Sequence, residues 1–472
     1  MTATTKYPAK SHARRSAENL KVFAKKRSVD ESVANSSLIY AAASKPTLWP
    51  HCDQNIPFRQ NRYFNYLTGA HDLHEGHVTY DISKDKLTLY LPPLDKEEVM
   101  WSGMPLSLEQ AQAKYDVDEV KYSSELESDL KAFTGSTNRL ILAVDESEEY
   151  SVVQQSDLLL EALDETRMIK DEYEISLMKR ASEITDNSHL AVMSALPIEK
   201  NEGHIHAEFV YHAMRQGSKN QAYDPICCSG VNCGTLHYTK NDLPLEADKQ
   251  LVLIDAGAEW ENYAADVTRV FPINGEWTTE ARAIYEAVLD MQTQTMNRVA
   301  PGVSWDNLHQ LSHEILIKHF LELGIFKNGT PEEILESRIS ASFYPHGLGH
   351  MLGMDTHDTA GLANYDDPDP MFKYLRIRRN LQANMVVTVE PGIYFNKFLL
   401  EPVLSNPEQA KYIDEKVLEK YLPVGGIRIE DDVLVTDKGF YDLTKITKDA
   451  DEIAKIVKAG ISKGRDHFHV VV

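Results

Sequence analysis

At 472 residues the chain is too long for one compact core, and two domains are expected. Its 42% hydrophobic and 26% charged residues are those of an ordinary soluble globular protein. The 72 acidic against 49 basic side chains give a formal net charge of −23, which opposes the phosphate neutralisation that non-specific nucleic-acid binding needs, so no nucleic-acid partner is expected.

No apolar run reaches the roughly 18 residues of a membrane span, and no apolar stretch near Met1 reads as a secretory signal. Cys227, Cys228 and Cys233 lie close together, but no second Cys or His pair at zinc-finger spacing accompanies them. They read as reduced, packed thiols in a reducing compartment, here the cytoplasm. Eight Lys/Arg and one acid, Glu18, fall in the first 28 residues. That composition is compatible with a mitochondrial presequence, and a solvated basic arm over residues 1–40, loosely ordered, is the plainer reading.

Residues 40 to about 165 read as a mixed α/β domain, with strands at His77–Ile82 and Lys86–Leu91 and helices at Ser107–Lys114 and Ser124–Ala132. From Asp171 to Leu196 apolar residues recur at helical spacing, and the junction between domains 1–165 and 166–472 is placed before this helix. Thr278 or Thr279 can cap a helix running to about Val299, and Ser304 the next, which stops at Gly324. From Ala341 to Thr436 the pattern is strand-rich. The predicted class is α+β, with helices on a curved, largely antiparallel sheet.

Four segments carry chemistry. The apolar strand Leu251–Ile254 delivers Asp255, and a return strand carries Asp266. A symmetric hairpin centred between residues 260 and 261 would set these two acids opposite each other, with Cβ atoms about 5 Å apart. Two buried carboxylates that close repel, and a divalent cation between them removes the conflict. Next, His346, His350 and His357 crowd a glycine-rich stretch, and imidazole is the commonest transition-metal ligand. Third, an apolar strand from Met385 ends in Glu390. Fourth, Arg428 and Glu430 share a strand face in Gly426–Ile–Arg–Ile–Glu–Asp–Asp.

Four carboxylates and one imidazole make a hard, oxygen-rich site suited to Mn²⁺, or to Zn²⁺, Co²⁺ or Fe²⁺. That much negative charge calls for two ions about 3.5–4 Å apart, an arrangement that activates water at neutral pH. His309, His313 and Glu314 imitate a zincin helix, but the His-Glu-x-x-His order is absent. The glycines around His350 miss the dinucleotide-loop spacing by one residue.

With these positions in hand, the sequence resembles the prolidase/aminopeptidase P branch of the pita-bread metallopeptidases, from about Phe58 onward. The resemblance implies a dinuclear, usually manganese, site with Asp255, Asp266, His350, Glu390 and Glu430 as ligands, Asp266 and Glu430 bridging. It implies Glu390 as base and proton shuttle, and His346 and His357 stabilising the tetrahedral intermediate. His237, Tyr223 and Arg376 would face the substrate, with Arg428 orienting a ligand. Trp101, in Val–Met–Trp–Ser–Gly, matches a tryptophan that the partner subunit contributes, so a homodimer is implied.

The substrates implied are proline-containing dipeptides or short peptides. Similarity is greatest to eukaryotic prolidases, so a dipeptidase releasing proline is the first expectation. An aminopeptidase cutting longer Xaa-Pro peptides is the alternative, and a non-catalytic pita-bread binding module a distant one, since such modules lose the ligands and all five are present here.

Overall fold

A computed structural model describes residues 6–135, 139–147, 149–246 and 249–468. The chain divides into two compact units, Met1–Met168 and Ile169–Val472. No helix among the described residues is long and apolar enough to cross a membrane.

The N-terminal unit is built on a six-stranded mixed sheet. Its strands are β1 (Leu38–Ala42), β2 (His77–Asp81), β3 (Lys86–Leu91), β4 (Glu119–Tyr122), β5 (Ile141–Ala143) and β6 (Val153–Gln155), in the order β4-β3-β2-β1-β5-β6. The β1–β2 and β2–β3 pairs are antiparallel, whereas β4, β5 and β6 join in parallel. The expected helices form at Leu108–Lys114, with a Ser107/Gln110 capping box, and at Leu126–Thr134.

The arm expected over residues 1–40 is structured where it is described, from residue 6 onward, and its first five residues lie outside the described residues. Ala9–Lys26 is a helix that packs against the helix Asp157–Met168. Its buried face carries Ala9, Ala13, Ala17, Leu20 and Ala24, while Arg14, Lys21, Lys25 and Lys26 point to solvent. Small residues four apart let two helix backbones approach closely, and that stripe outweighs the basic composition.

In the second unit, Asp171 caps the long helix Glu172–Ala195 through a capping box with Glu174. Its strands are β7 (Ile226–Ser229), β8 (Leu251–Asp255), β9 (Glu259–Trp260), β10 (Tyr263–Ala264), β11 (Thr268–Pro272), β12 (Val386–Val389), β13 (Gly392–Tyr394), β14 (Gly426–Arg428), β15 (Asp431–Thr436) and β16 (Gly439–Asp442). They pair antiparallel in the groups β11-β8-β7, β12-β15-β16, β13-β14 and β10-β9. Helices Thr279–Met296 and Trp305–Glu322 pack on each other, the first also on β12, β13 and β14, and their Ile284, Tyr285, Val288 and Phe320 share one core with Leu251–Ile254. Asp255 ends β8, and Glu390 and Glu430 stand just beyond the C-terminal ends of β12 and β14.

Candidate metal centre

The hairpin carrying the two aspartates turns one position later than a symmetric reading of the sequence places it. Glu261 and Asn262 both adopt left-handed backbone, with φ of 49° and 67°, and Trp260 pairs with Tyr263 across this two-residue turn. The ladder therefore pairs Asp255 with Thr268, not with Asp266. The shift is even, so Asp255, Asp266 and Thr268 keep the same face of the ribbon. Gly257 lies across from Asp266, where a Cβ would meet the Ala265 carbonyl oxygen at 1.7 Å. Only glycine fits, and the close approach brings the two aspartates into one site. The Tyr223 hydroxyl lies 2.6 Å from Asp255 Oδ1 and also within hydrogen-bonding distance of Asp266 Oδ1.

The histidine loop runs beside β12. His350 N–H donates to Thr388 Oγ1 at 3.0 Å, Thr388 N–H to the His350 carbonyl at 2.9 Å, and Glu390 N–H to the Leu348 carbonyl at 2.8 Å. A Cβ on Gly349 would stand 2.0 Å from the Thr388 carbonyl oxygen, which explains the glycine before His350. His350 Nδ1 lies 2.9 Å from the Met351 carbonyl and donates to it, leaving Nε2 at 3.3 Å from Asp266 and 3.5 Å from Glu390. Asp266, His350 and Glu430 offer ligand atoms that all lie within 4.8 Å of one another.

Three residues tie the acids together. Arg428, 4% exposed, donates to Asp255 Oδ2, to Thr268 Oγ1 at 3.0 Å and to the Tyr394 hydroxyl at 2.9 Å. Thr268 in turn donates to Glu430 Oε2 at 2.6 Å. The Asp266 N–H donates to the buried Asp432 carboxylate at 3.1 Å, which also accepts from Ser182. Thr268, Tyr394 and Asp432 carried no flag in the sequence. Arg428 was expected to orient a ligand, and the candidate ligand it reaches is Asp255.

Burial pushes the carboxyls up. Asp266 is raised by burial and by Asp255, Glu430 well above its ordinary value by burial and by Asp266, and Glu390 to about 7, chiefly by burial. Burial would lower His350, but its bond to Asp266 and the charge of Glu390 raise it. Four acids thus face two cationic groups, Arg428 and His350, and one tyrosine proton stands between two aspartates that both compete for it. Unmatched charge, an imidazole nitrogen aimed at carboxylates and a backbone carbonyl fixing its other nitrogen are what divalent cations require. Asp255, Asp266, His350, Glu390 and Glu430 fit such ions.

Around these ligands, the His346 ring is held by Gly347 and Tyr394. Nδ1 donates to the Gly347 carbonyl at 2.8 Å and Nε2 accepts from the Tyr394 hydroxyl at 2.8 Å. Burial, then Arg428, lowers His346 to about 3, so it is neutral. His357 stacks edge-on to His350 with ring centroids 4.5 Å apart, and burial, then His350 and Arg376, lower it to about 2. His237 is close enough for its charge to depress both rings, although it is solvent-exposed. Arg376 donates to the Tyr365 hydroxyl at 3.2 Å. Tyr223, expected on the substrate, spends its hydroxyl on the ligands. Trp101 belongs to the N-terminal unit, on helix Lys96–Ser102, and is 78% exposed. The decoy pair His309 and His313 is fully buried in core contacts with Met371 and Ser340.

Residues 176–437 match Metallopeptidase family M24, and residues 12–142 match the Aminopeptidase P, N-terminal domain. The chain belongs to the M24 metallopeptidases, in the pita-bread branch that holds prolidase and aminopeptidase P. It is 52% identical over 473 residues to an uncharacterized peptidase of Saccharomyces cerevisiae, covering 99% of this chain and 87% of that one. It is 47% identical over 461 residues to a probable Xaa-Pro aminopeptidase of Phaeosphaeria nodorum, covering 96% and 97%. Among solved structures, the aminopeptidase PepP of Pseudomonas aeruginosa superposes with a TM-score of 0.78 at 26% identity, over 97% of this chain and 100% of that one. Within this M24 frame, the five proposed ligands come from five separate strands or loops of the second unit.

Proposed function

We propose that the enzyme is an Xaa-Pro aminopeptidase that uses two divalent ions, manganese by preference, to remove the residue preceding proline from short peptides. The observation that carries the reading is the convergence of Asp255, Asp266, His350, Glu390 and Glu430 around an excess of buried negative charge. When bound, the ions polarise the scissile carbonyl and make water nucleophilic at neutral pH. Proline forms a tertiary amide without N–H, so the chain recognises the carbonyl side and must protonate the leaving nitrogen. Glu390 takes the proton from water and returns it to that nitrogen. His357, neutral, directs an N–H at the oxygen where negative charge develops, while both ring nitrogens of His346 are already bonded, to the Gly347 carbonyl and the Tyr394 hydroxyl. Arg428 holds Asp255 in place, and Tyr394 holds His346.

The sequence favoured a dipeptidase. The match to the aminopeptidase P N-terminal domain and the relatives named probable Xaa-Pro aminopeptidase support the longer-substrate reading instead. One observation speaks for the dipeptidase: Arg376 has no ion-pair partner among the described residues and its charge reaches His357, where a dipeptide's carboxylate would end. The aminopeptidase should cleave Ala-Pro-Ala at least as well as Ala-Pro, with little change in Arg376→Ala. A strong preference for Ala-Pro that drops by about 2–5 kcal/mol in Arg376→Ala would restore the dipeptidase. We further propose a cytoplasmic homodimer in which Trp101 completes the partner's site, and light scattering that gives a monomer mass would overturn the dimer.

A further inference from the structure

His237 stands on an exposed loop, yet a substrate-side residue needs a fixed position. The loop's anchor is Glu202, the first residue of helix Glu202–Arg215 and fully buried. Its Oε1 accepts from the Ser229 hydroxyl at 2.6 Å, and its Oε2 accepts from the Tyr238 hydroxyl at 2.8 Å and the Leu243 N–H at 3.1 Å. The Glu202 N–H donates back to the Leu243 carbonyl at 2.9 Å. A second tie lies between these points. Asn241, in left-handed backbone with φ of 48°, accepts from the Cys227 N–H at 2.8 Å and donates to the Pro225 carbonyl at 2.7 Å. Ser229 and Cys227 belong to β7, which pairs with the Asp255-bearing β8. The carboxylate at a helix N-terminus, favoured by the helix dipole, therefore bolts the His237 loop to the same sheet that delivers a metal ligand.

We propose that Glu202 is a positioning residue for substrate binding, acting through Tyr238 to aim the adjacent His237 at the site. This rests on the peptidase reading proposed above and on the substrate-side role that the family resemblance implies for His237. A buried carboxylate with three donors is rigid because moving any one leaves a charge short of a partner. The loop next to Tyr238 inherits that rigidity.

Tyr238→Phe is the mildest break. The ring packs against the core and stays, while only the bond to Glu202 is lost. The expected result on Ala-Pro-Ala is a three- to tenfold rise in KM with kcat within about twofold, and no further loss when Tyr238→Phe is added to His237→Ala. Equal losses in both backgrounds, or no loss in either, overturn the proposal. A substrate-free readout separates this from failure of the peptidase reading. In protein carrying ¹³C-labelled histidine, Tyr238→Phe should shift the ring signal that His237→Ala deletes and leave those of His309 and His313 in place. An unmoved His237 signal overturns the positioning role even if no peptide is cleaved. Glu202→Gln, which removes the charge and one acceptor, should move the same signal further, and a smaller shift than in Tyr238→Phe would count against Glu202 as the anchor.

Discussion

Asp266→Asn should change the protein's stability in opposite directions with and without metal. In the metal-free protein, burial and Asp255 hold the Asp266 carboxyl above its ordinary value. The folded state then binds more protons than the unfolded one, so stability falls as pH rises from the unfolded value near 4 through the folded value. Each unit of displacement costs about 1.4 kcal/mol once the group is forced to ionise. Asparagine keeps the shape and an acceptor for Tyr223 and carries no charge. It forfeits the His350 contact, about 1 kcal/mol, but sheds the cost of ionising a buried acid, and should come out no less stable than wild type near pH 7.5. With metal at a hundredfold above its Kd, the wild type gains about 2.7 kcal/mol by mass action. A variant binding about a hundredfold more weakly gains roughly 0.4 kcal/mol, so it falls about 1–2 kcal/mol below wild type. Thermal melts of both proteins in EDTA and in Mn²⁺ measure this, at about 2–4 °C per kcal/mol for a unit of this size. An Asp266→Asn variant that melts below wild type in EDTA, or gains as much from Mn²⁺ as wild type does, refutes the account of the site as a cluster of unmatched charge.

Metal binding should release protons, because Glu390 at about 7 is largely protonated at pH 6 in the metal-free protein. Calorimetry in buffers of different ionisation enthalpy should give a larger release at pH 6 than at pH 8.5, and equal release at both would contradict the raised carboxyl. Gly257→Ala should abolish metal retention and lower stability by about 1–3 kcal/mol, because the new methyl cannot share space with a backbone oxygen. Elemental analysis and a melt read both effects.

The clustering of Asp255, Asp266, His350, Glu390 and Glu430 was legible because each is an acid or imidazole delivered by apolar strand or glycine-rich loop, where plain packing would not put it. The hairpin register was less so. Nothing in Trp260–Glu–Asn–Tyr263 announces which pair occupies the turn until the backbone shows Glu261 and Asn262 in left-handed conformation. The misjudged pairing still put Asp255 and Asp266 on one face, since a shift of two residues preserves the face of every side chain, while a shift of one would have sent Asp266 to the opposite side. The N-terminal helix was missed for a different reason. Its charge count was read as solvation, although Ala9, Ala13, Ala17 and Ala24 mark a packing stripe.

What the sequence could not show are the residues that matter only through a partner distant in the chain. Thr268 is an ordinary β-branched strand residue until it stands opposite Asp255 and reaches Glu430, 162 positions away. Tyr394 acquires its role only where β13 meets β14, placing its hydroxyl between His346 and Arg428. Asp432 reads as one more acid after Glu430, yet its carboxylate fixes the backbone of Asp266 from behind. Each is a common residue type whose function is set by cross-strand register rather than by local pattern. A buried centre with four acids depends on such residues as much as on its ligands. The ligands repel one another, and the hydrogen bonds of Thr268, Tyr394, Arg428 and Asp432 keep them in place for the cations.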